Sequence, residues 1–141
     1  MPLFKKREVP LRVSDIMSRD VVKTNENTPL STIAALMYER GVGSVVIVDE
    51  EDKPVGIVTE RDIVYAVAKN LRRDAPAWSF MTENPVTVKE SDLITTAMEK
   101  MRELNIRHLP VVNDEGKVVG IISFRDIVDS ASILLSLLRP H

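Results

Sequence analysis

The sequence predicts an α+β fold made of two homologous halves, each running β-α-β-β-α. Three observations carry this. Shifting the chain by 64 positions aligns residues 15–64 with 79–128 without a gap, with 16 identities in those 50 positions. Within each copy, hydrophobic spacing changes from helical to strand-like in the same order. Finally, each copy is only about 60 residues long, too short to bury a large core alone, so the copies are expected to share one.

Composition narrows the function classes. The 141 residues are 44% hydrophobic and 28% charged, with a net charge of −2, values that suit a soluble domain. That balance gives nucleic acid no electrostatic hold as main partner. The Lys5-Lys6-Arg7 cluster reads as a local solvated tail. Cysteine is absent, which removes disulfides and thiolate metal sites. The N-terminal charges have no apolar segment behind them, and the run from Ile133 to Leu138 is short of membrane-spanning length. A cytoplasmic protein with no membrane partner is expected.

The elements follow in order. After an N-terminal extension at 1–12, Ser14 to Met17 opens a short helical turn, repeated at Ala77 to Met81. A short strand follows at Val21–Thr24 and again at Val86–Val88. Thr28 and Asp92 are N-cap candidates, with Pro29 at a first helical position. Leu30, Ile33, Ala34 and Met37 then fall at i, i+3, i+4 and i+7, and Ile94, Ala97, Met98 and Met101 repeat an amphipathic helix. The β-branched runs Ser44–Val48 and Val55–Val58, joined by an acidic turn, predict an antiparallel hairpin. Its twin is His108–Val112 with Val118–Ile122. Both are apolar enough to be covered on two faces. A closing helix runs from Glu60 to about Lys69, and from Phe124 to about Leu138. The repeats are bounded at 13–69 and 78–141, with a linker at 70–77.

Between the last strand and the closing helix lies Gly56-Ile57-Val58-Thr59-Glu60-Arg61-Asp62, and its twin Gly120-Ile121-Ile122-Ser123-Phe124-Arg125-Asp126. A hydroxyl at the N-cap with a carboxylate three residues later is a capping pattern. The exposed N–H groups of a helix start also favour an anion, and a nearby carboxylate can hold sugar hydroxyls. The two roles are compatible.

The duplicated order, the Ile16-Met17 and Phe80-Met81 entries, the middle strands Val45–Asp49 and Leu109–Asn113, and the two Gly-Ile-x-[Thr/Ser]-x-Arg-Asp segments resemble the tandem cystathionine-β-synthase (CBS) domain pair, or Bateman module, over about residues 12–130. The resemblance implies two repeats packed through their sheets about a pseudo-twofold axis, with adenosine ligands in the clefts between them. AMP is the foremost expected ligand, with ADP, ATP or S-adenosylmethionine as alternatives and no other cofactor. By position, Asp62 and Asp126 become ribose ligands, Thr59 and Ser123 phosphate or ribose ligands, and Arg61 and Arg125 phosphate partners. Arg107-His108 matches the family's basic entry to the middle strand, where the first half has Gly43-Ser44. Unequal clefts are therefore expected. Ile57, Ile121, Thr24 and Val88 complete the candidate set. The family also implies a stand-alone sensor acting on an effector protein, and a homodimer formed through helices.

Plainer roles compete at several positions. His108 has only His141 as a second histidine and reads as a strand-edge residue that at most meets an anion. The acidic turns lack the calcium-loop pattern. Met17, Met37, Met81, Met98 and Met101 read as core filler, and Trp78 as packing against the linker. The last helix has more apolar surface than one face needs, at Ile127, Val128, Ala131, Ile133, Leu134, Leu135, Leu137 and Leu138. No nucleophile, base or metal constellation supports catalysis. The alternative to a sensor is a scaffold that uses the fold without a ligand.

Overall fold

A computed structural model describes residues 11–138, apart from the side chains of Ile133, Leu134 and 136–138. The Lys5-Lys6-Arg7 cluster, His141, and half of the apolar side chains expected on the last helix lie outside the described residues. The elements are α1 (Val13–Ile16), β1 (Lys23–Thr24), α2 (Leu30–Arg40), β2 (Ser44–Val48), β3 (Pro54–Thr59) and α3 (Glu60–Ala68) in the first half. A 3-10 turn (Ala77–Ser79), β4 (Thr82–Glu83), β5 (Val88–Lys89), α4 (Ile94–Leu104), β6 (His108–Val112), β7 (Val118–Ser123) and α5 (Phe124–Leu138) follow. The repeat seen in the sequence is thus a repeat of structure. Among the described residues no helix is long and apolar enough to cross a membrane.

Each hairpin is antiparallel and each first strand joins it in parallel, giving sheets of order β1-β2-β3-β4 and β5-β6-β7. Strand alternation sorts the side chains. Val45, Ile47 and Val58 face the first core with Ile33 and Met37, while Leu109, Val111 and Ile122 face the second with Ala97 and Met101. The intervening Val46, Val112 and Val118 form a third cluster, with Val21, Val48 and Ile121 packed against it. Both sheets contribute to this cluster, and so the strands are apolar on two faces.

One feature of the packing has no counterpart in a simple tandem arrangement. Each half lends its entry segment to the other. Val13 and Met17 sit in the second core, and Ala77 and Phe80 in the first. β4 pairs with β3, Ile57 opposite Thr82, and Ser18 makes the equivalent bridge to Ile121. The glycines of the two motifs permit this crossing. A Cβ on Gly56 would overlap the Met81 side chain, and one on Gly120 would lie 2.8 Å from both Met17 Sδ and the Ser18 carbonyl oxygen.

Helix starts differ from expectation by one residue. The N-caps of α2 and α4 are Pro29 and Leu93, without a side-chain cap bond. Thr28 instead bonds Thr24 through their hydroxyls, and Asp92 accepts from the Lys89 N–H at 2.9 Å. These side chains close the turn leading to the helix, which satisfies them before they can cap it. Both helices end on a left-handed residue, Gly41 (φ 64°) and Asn105 (φ 53°). Met17, Met37 and Met101 are buried and Met81 is packed against the first core, but Met98 is 45% exposed. It lies one position beyond Ala97, which takes the core-facing place on α4. Trp78 is half-exposed, and its backbone N–H donates to Glu26 O at 3.0 Å.

Candidate functional site

Each motif turns from strand to helix through a capping box, because the carboxylate at the third helical position folds back to the N-cap. Asp126 Oδ2 accepts the Ser123 N–H at 3.0 Å, and Ser123 Oγ accepts the Asp126 N–H at 3.0 Å. Asp62 Oδ2 accepts the Thr59 N–H at 2.8 Å and the Thr59 hydroxyl at 3.2 Å. The capping role expected of the pattern is therefore present in both copies.

The two carboxylates nevertheless differ. The Thr82 hydroxyl, brought over on β4, donates to Asp62 Oδ1 at 3.2 Å. The corresponding residue beside the other motif is Ser18, whose side chain makes no such bond. Among the described residues, Asp126 Oδ1 thus accepts no hydrogen bond, and its carboxylate keeps acceptor capacity that Asp62 has already committed.

Strand register brings the basic pair to Asp126. His108 lies directly opposite Ser123 in the β6–β7 ladder, and the Phe124 N–H donates to Arg107 O at 2.8 Å. The Arg107 guanidinium sits 5.7 Å from the Phe124 ring centroid, a cation–π contact that fixes its direction. Arg107, His108, Ile121, Ser123, Arg125 and Asp126 then line one wall of a cleft of about 970 Å³. Ser18, Tyr38, Gly43, Ser44 and Glu60 of the first half line the other. The aspartate that shares a cleft with Arg107-His108 is thus Asp126, on the same half. A hairpin register counted back from the 113–116 turn would have found it.

His108 reaches across the boundary. A Cβ on Gly43 would lie 3.1 Å from His108 Nε2 and 3.0 Å from Glu60 Oε1. Burial pushes the His108 pKa below its usual value, against the opposing pull of Glu60 and Asp126, and Arg107 lowers it further. The ring is accordingly neutral near pH 7, where it can donate one N–H but supplies no charge. Among the described residues, the cations lining this cleft are Arg107 and Arg125.

The remaining candidates are placed elsewhere. Ile57 is buried between Val46 and Thr82 in the first sheet. Arg61 is exposed and outside the large cleft. Thr24 is engaged by Thr28, and the Val88 side chain is 1% exposed within the second core. A second, smaller space of about 460 Å³ involves Met98, Met101, Arg102, Ile106, Arg107 and Phe124. These are the repeat partners of Ala34, Met37, Tyr38, Val42, Gly43 and Glu60, so it is the pseudosymmetric counterpart of half of the large cleft. Larger side chains at the Gly43 and Ala34 positions narrow it. Residues overlooked in the sequence are Ser18, Asp20, Tyr38, Glu60 and Asp129, all lining the large cleft. Only the crossing of the entry segment brings Ser18 and Asp20 there.

Comparison with known proteins agrees with this geometry. The family model for the CBS domain matches residues 13–69 and 77–132. The structure superposes on a CBS domain protein of Pyrobaculum aerophilum complexed with AMP, with a TM-score of 0.82 at 38% identity over 90% of this chain and 98% of that one. A CBS domain pair in complex with 5′-methylthioadenosine and S-adenosylmethionine gives a TM-score of 0.83 at 31% identity, over 89% and 98% of the two chains. An uncharacterised protein of Methanopyrus kandleri is 36% identical over 92% of this chain and 67% of its own length. The two matched segments, the reciprocal packing of the halves and the paired strand-to-helix motifs make this chain a member of the CBS domain family, carrying a CBS domain pair.

Proposed function

We propose that this CBS pair is a regulatory sensor that binds an adenine nucleotide, AMP foremost, in the cleft between its halves. The observation that carries this is the Asp126 carboxylate, held at a helix start by Ser123 with an oxygen open, beside Arg107, His108 and Arg125. Asp126 would accept the ribose hydroxyls. The phosphate would meet the N-terminal N–H groups of α5, the Ser123 hydroxyl, the neutral His108 ring and the two guanidinium groups. The P. aerophilum relative, complexed with AMP, and the pair holding adenosyl ligands support the ligand class.

Signalling follows from the position of the cleft. Its walls come from both halves, so a ligand that touches both favours one relative orientation and shifts the population toward it. Output would pass to an effector protein in the cytoplasm. Tyr65, Val64 and Val67 on α3, with Phe124, Val128 and Leu135 on α5, leave apolar side chains exposed. These helix faces support a homodimer, and they also favour the second function considered, a ligand-free scaffold. Calorimetry with AMP, ADP, ATP, NADH and S-adenosylmethionine separates the two: a sensor binds at least one at micromolar concentration, and a scaffold binds none.

A further inference from the structure

We infer that Glu60 limits the cleft to ligands with a single phosphate, making it a determinant of selectivity for AMP over ATP. This rests on the sensor function proposed above. Glu60 comes from the first half, at the first position of α3, yet its carboxylate faces the basic residues of the second. Its Oε1 and His108 Nε2 converge on the Gly43 backbone, each close enough that a Cβ there would touch both. At the corresponding place the second half has Phe124, so the carboxylate belongs to this cleft alone.

The charges facing the cleft do not suit a polyphosphate. Asp20 is offset by Arg40 at 3.0 Å, and Asp126 is occupied in part by the Ser123 N–H. Glu60 and Asp129 have no ion-pair partner among the described residues. Against them stand Arg107 and Arg125, because burial holds His108 neutral. AMP carries about two negative charges and ATP about four. The two guanidinium groups can hydrogen-bond the oxygens of one phosphate group, and with Glu60 and Asp129 facing them the cleft holds no surplus positive charge for a longer chain. Among the described residues the additional charge of ATP would find no further cation in the cleft lining, and it would share the cleft with the Glu60 carboxylate, where like charges repel.

The test is calorimetric titration of AMP, ADP and ATP, without divalent cations, into the protein and its Glu60→Gln and Glu60→Asp variants. Gln keeps the shape of the side chain and removes its charge, while Asp keeps the charge. The expected result is affinity falling from AMP to ATP by tenfold or more. Glu60→Gln should narrow that ratio by about fivefold, mainly by strengthening ATP, and Glu60→Asp should preserve most of it. ATP binding as tightly as AMP, or a ratio that Glu60→Gln leaves unchanged, would overturn the inference while leaving a nucleotide sensor intact. Failure of all three nucleotides to bind would overturn the sensor function and this inference together.

Discussion

Gly120→Ala tests the reciprocal crossing of the two halves where a backbone carbonyl stands in the way. An alanine Cβ there would lie 2.8 Å from the Ser18 carbonyl oxygen, whereas carbon and oxygen ordinarily approach to about 3.3–3.6 Å. Relief needs a shift of about half an ångström by a backbone segment. That segment is pinned by two hydrogen bonds, Ser18 N–H to Ile121 O at 2.9 Å and Ile121 N–H to Ser18 O at 3.0 Å. Overpacking of this kind costs about 1–3 kcal/mol, and the entropic gain of replacing a strand glycine returns about 0.5–1 kcal/mol. The net expectation is a loss of about 1–2 kcal/mol by urea denaturation. Gly56→Ala is the internal control. The three atoms nearest a Cβ there all belong to the Met81 side chain, and a methionine can swing aside. A double-mutant cycle of Gly56→Ala with Met81→Ala should therefore show coupling of about 0.5 kcal/mol or more. Gly120→Ala with Met17→Ala should retain most of the single-mutant cost, because the carbonyl oxygen remains. A Gly120→Ala protein as stable as the parent would refute the crossing.

Three further outcomes follow from the site and its surroundings. Asp62→Ala should cost about 1–2 kcal/mol by denaturation, because the Thr59 N–H and the Thr59 and Thr82 hydroxyls lose their acceptor, while changing AMP affinity by less than about threefold. The pKa of His108 is lowered in the folded protein, so between its unfolded and folded values the unfolded chain binds more protons and stability falls as pH drops below about 6.5; His108→Gln should reduce that slope between pH 7 and 5 in pH-resolved melting curves. Light scattering at micromolar concentration should give twice the chain mass, and replacing the exposed Tyr65 and Val128 by Glu should return the monomer mass; a monomer in the unaltered protein would remove the homodimer.

How much of this was legible in the sequence follows from the range of each interaction. Both hairpins and all four long helices are local patterns of period 2 or 3.6, the repeat shows as an alignment at an offset of 64, and the structure has these elements within a residue or two. The capping boxes at Thr59 and Ser123 were equally visible, since both partners lie within one turn. The reciprocal exchange of entry segments was not, because it depends on contacts between residues about 25 to 100 positions apart. Its trace was present all the same: two glycines inside β-branched strands and two methionines, all at the repeat offset, mark a close approach. Thr28 and Asp92 deceived because their side chains serve the preceding turn. Thr24 and Val88 were nominated at strand ends whose side chains turn out to be engaged or buried. Asp62 and Asp126 differ in whether the hydroxyl on the crossing segment, Thr82 or Ser18, bonds the carboxylate, which no local pattern distinguishes.

Titrating AMP into the protein and into Asp126→Ala by calorimetry shows whether the nucleotide is held at Asp126. The expected result is one nucleotide per chain at micromolar concentration, weakened by tenfold or more in Asp126→Ala, with a stability loss of about 1 kcal/mol from the broken capping box. Unchanged AMP affinity in the folded Asp126→Ala protein would contradict it.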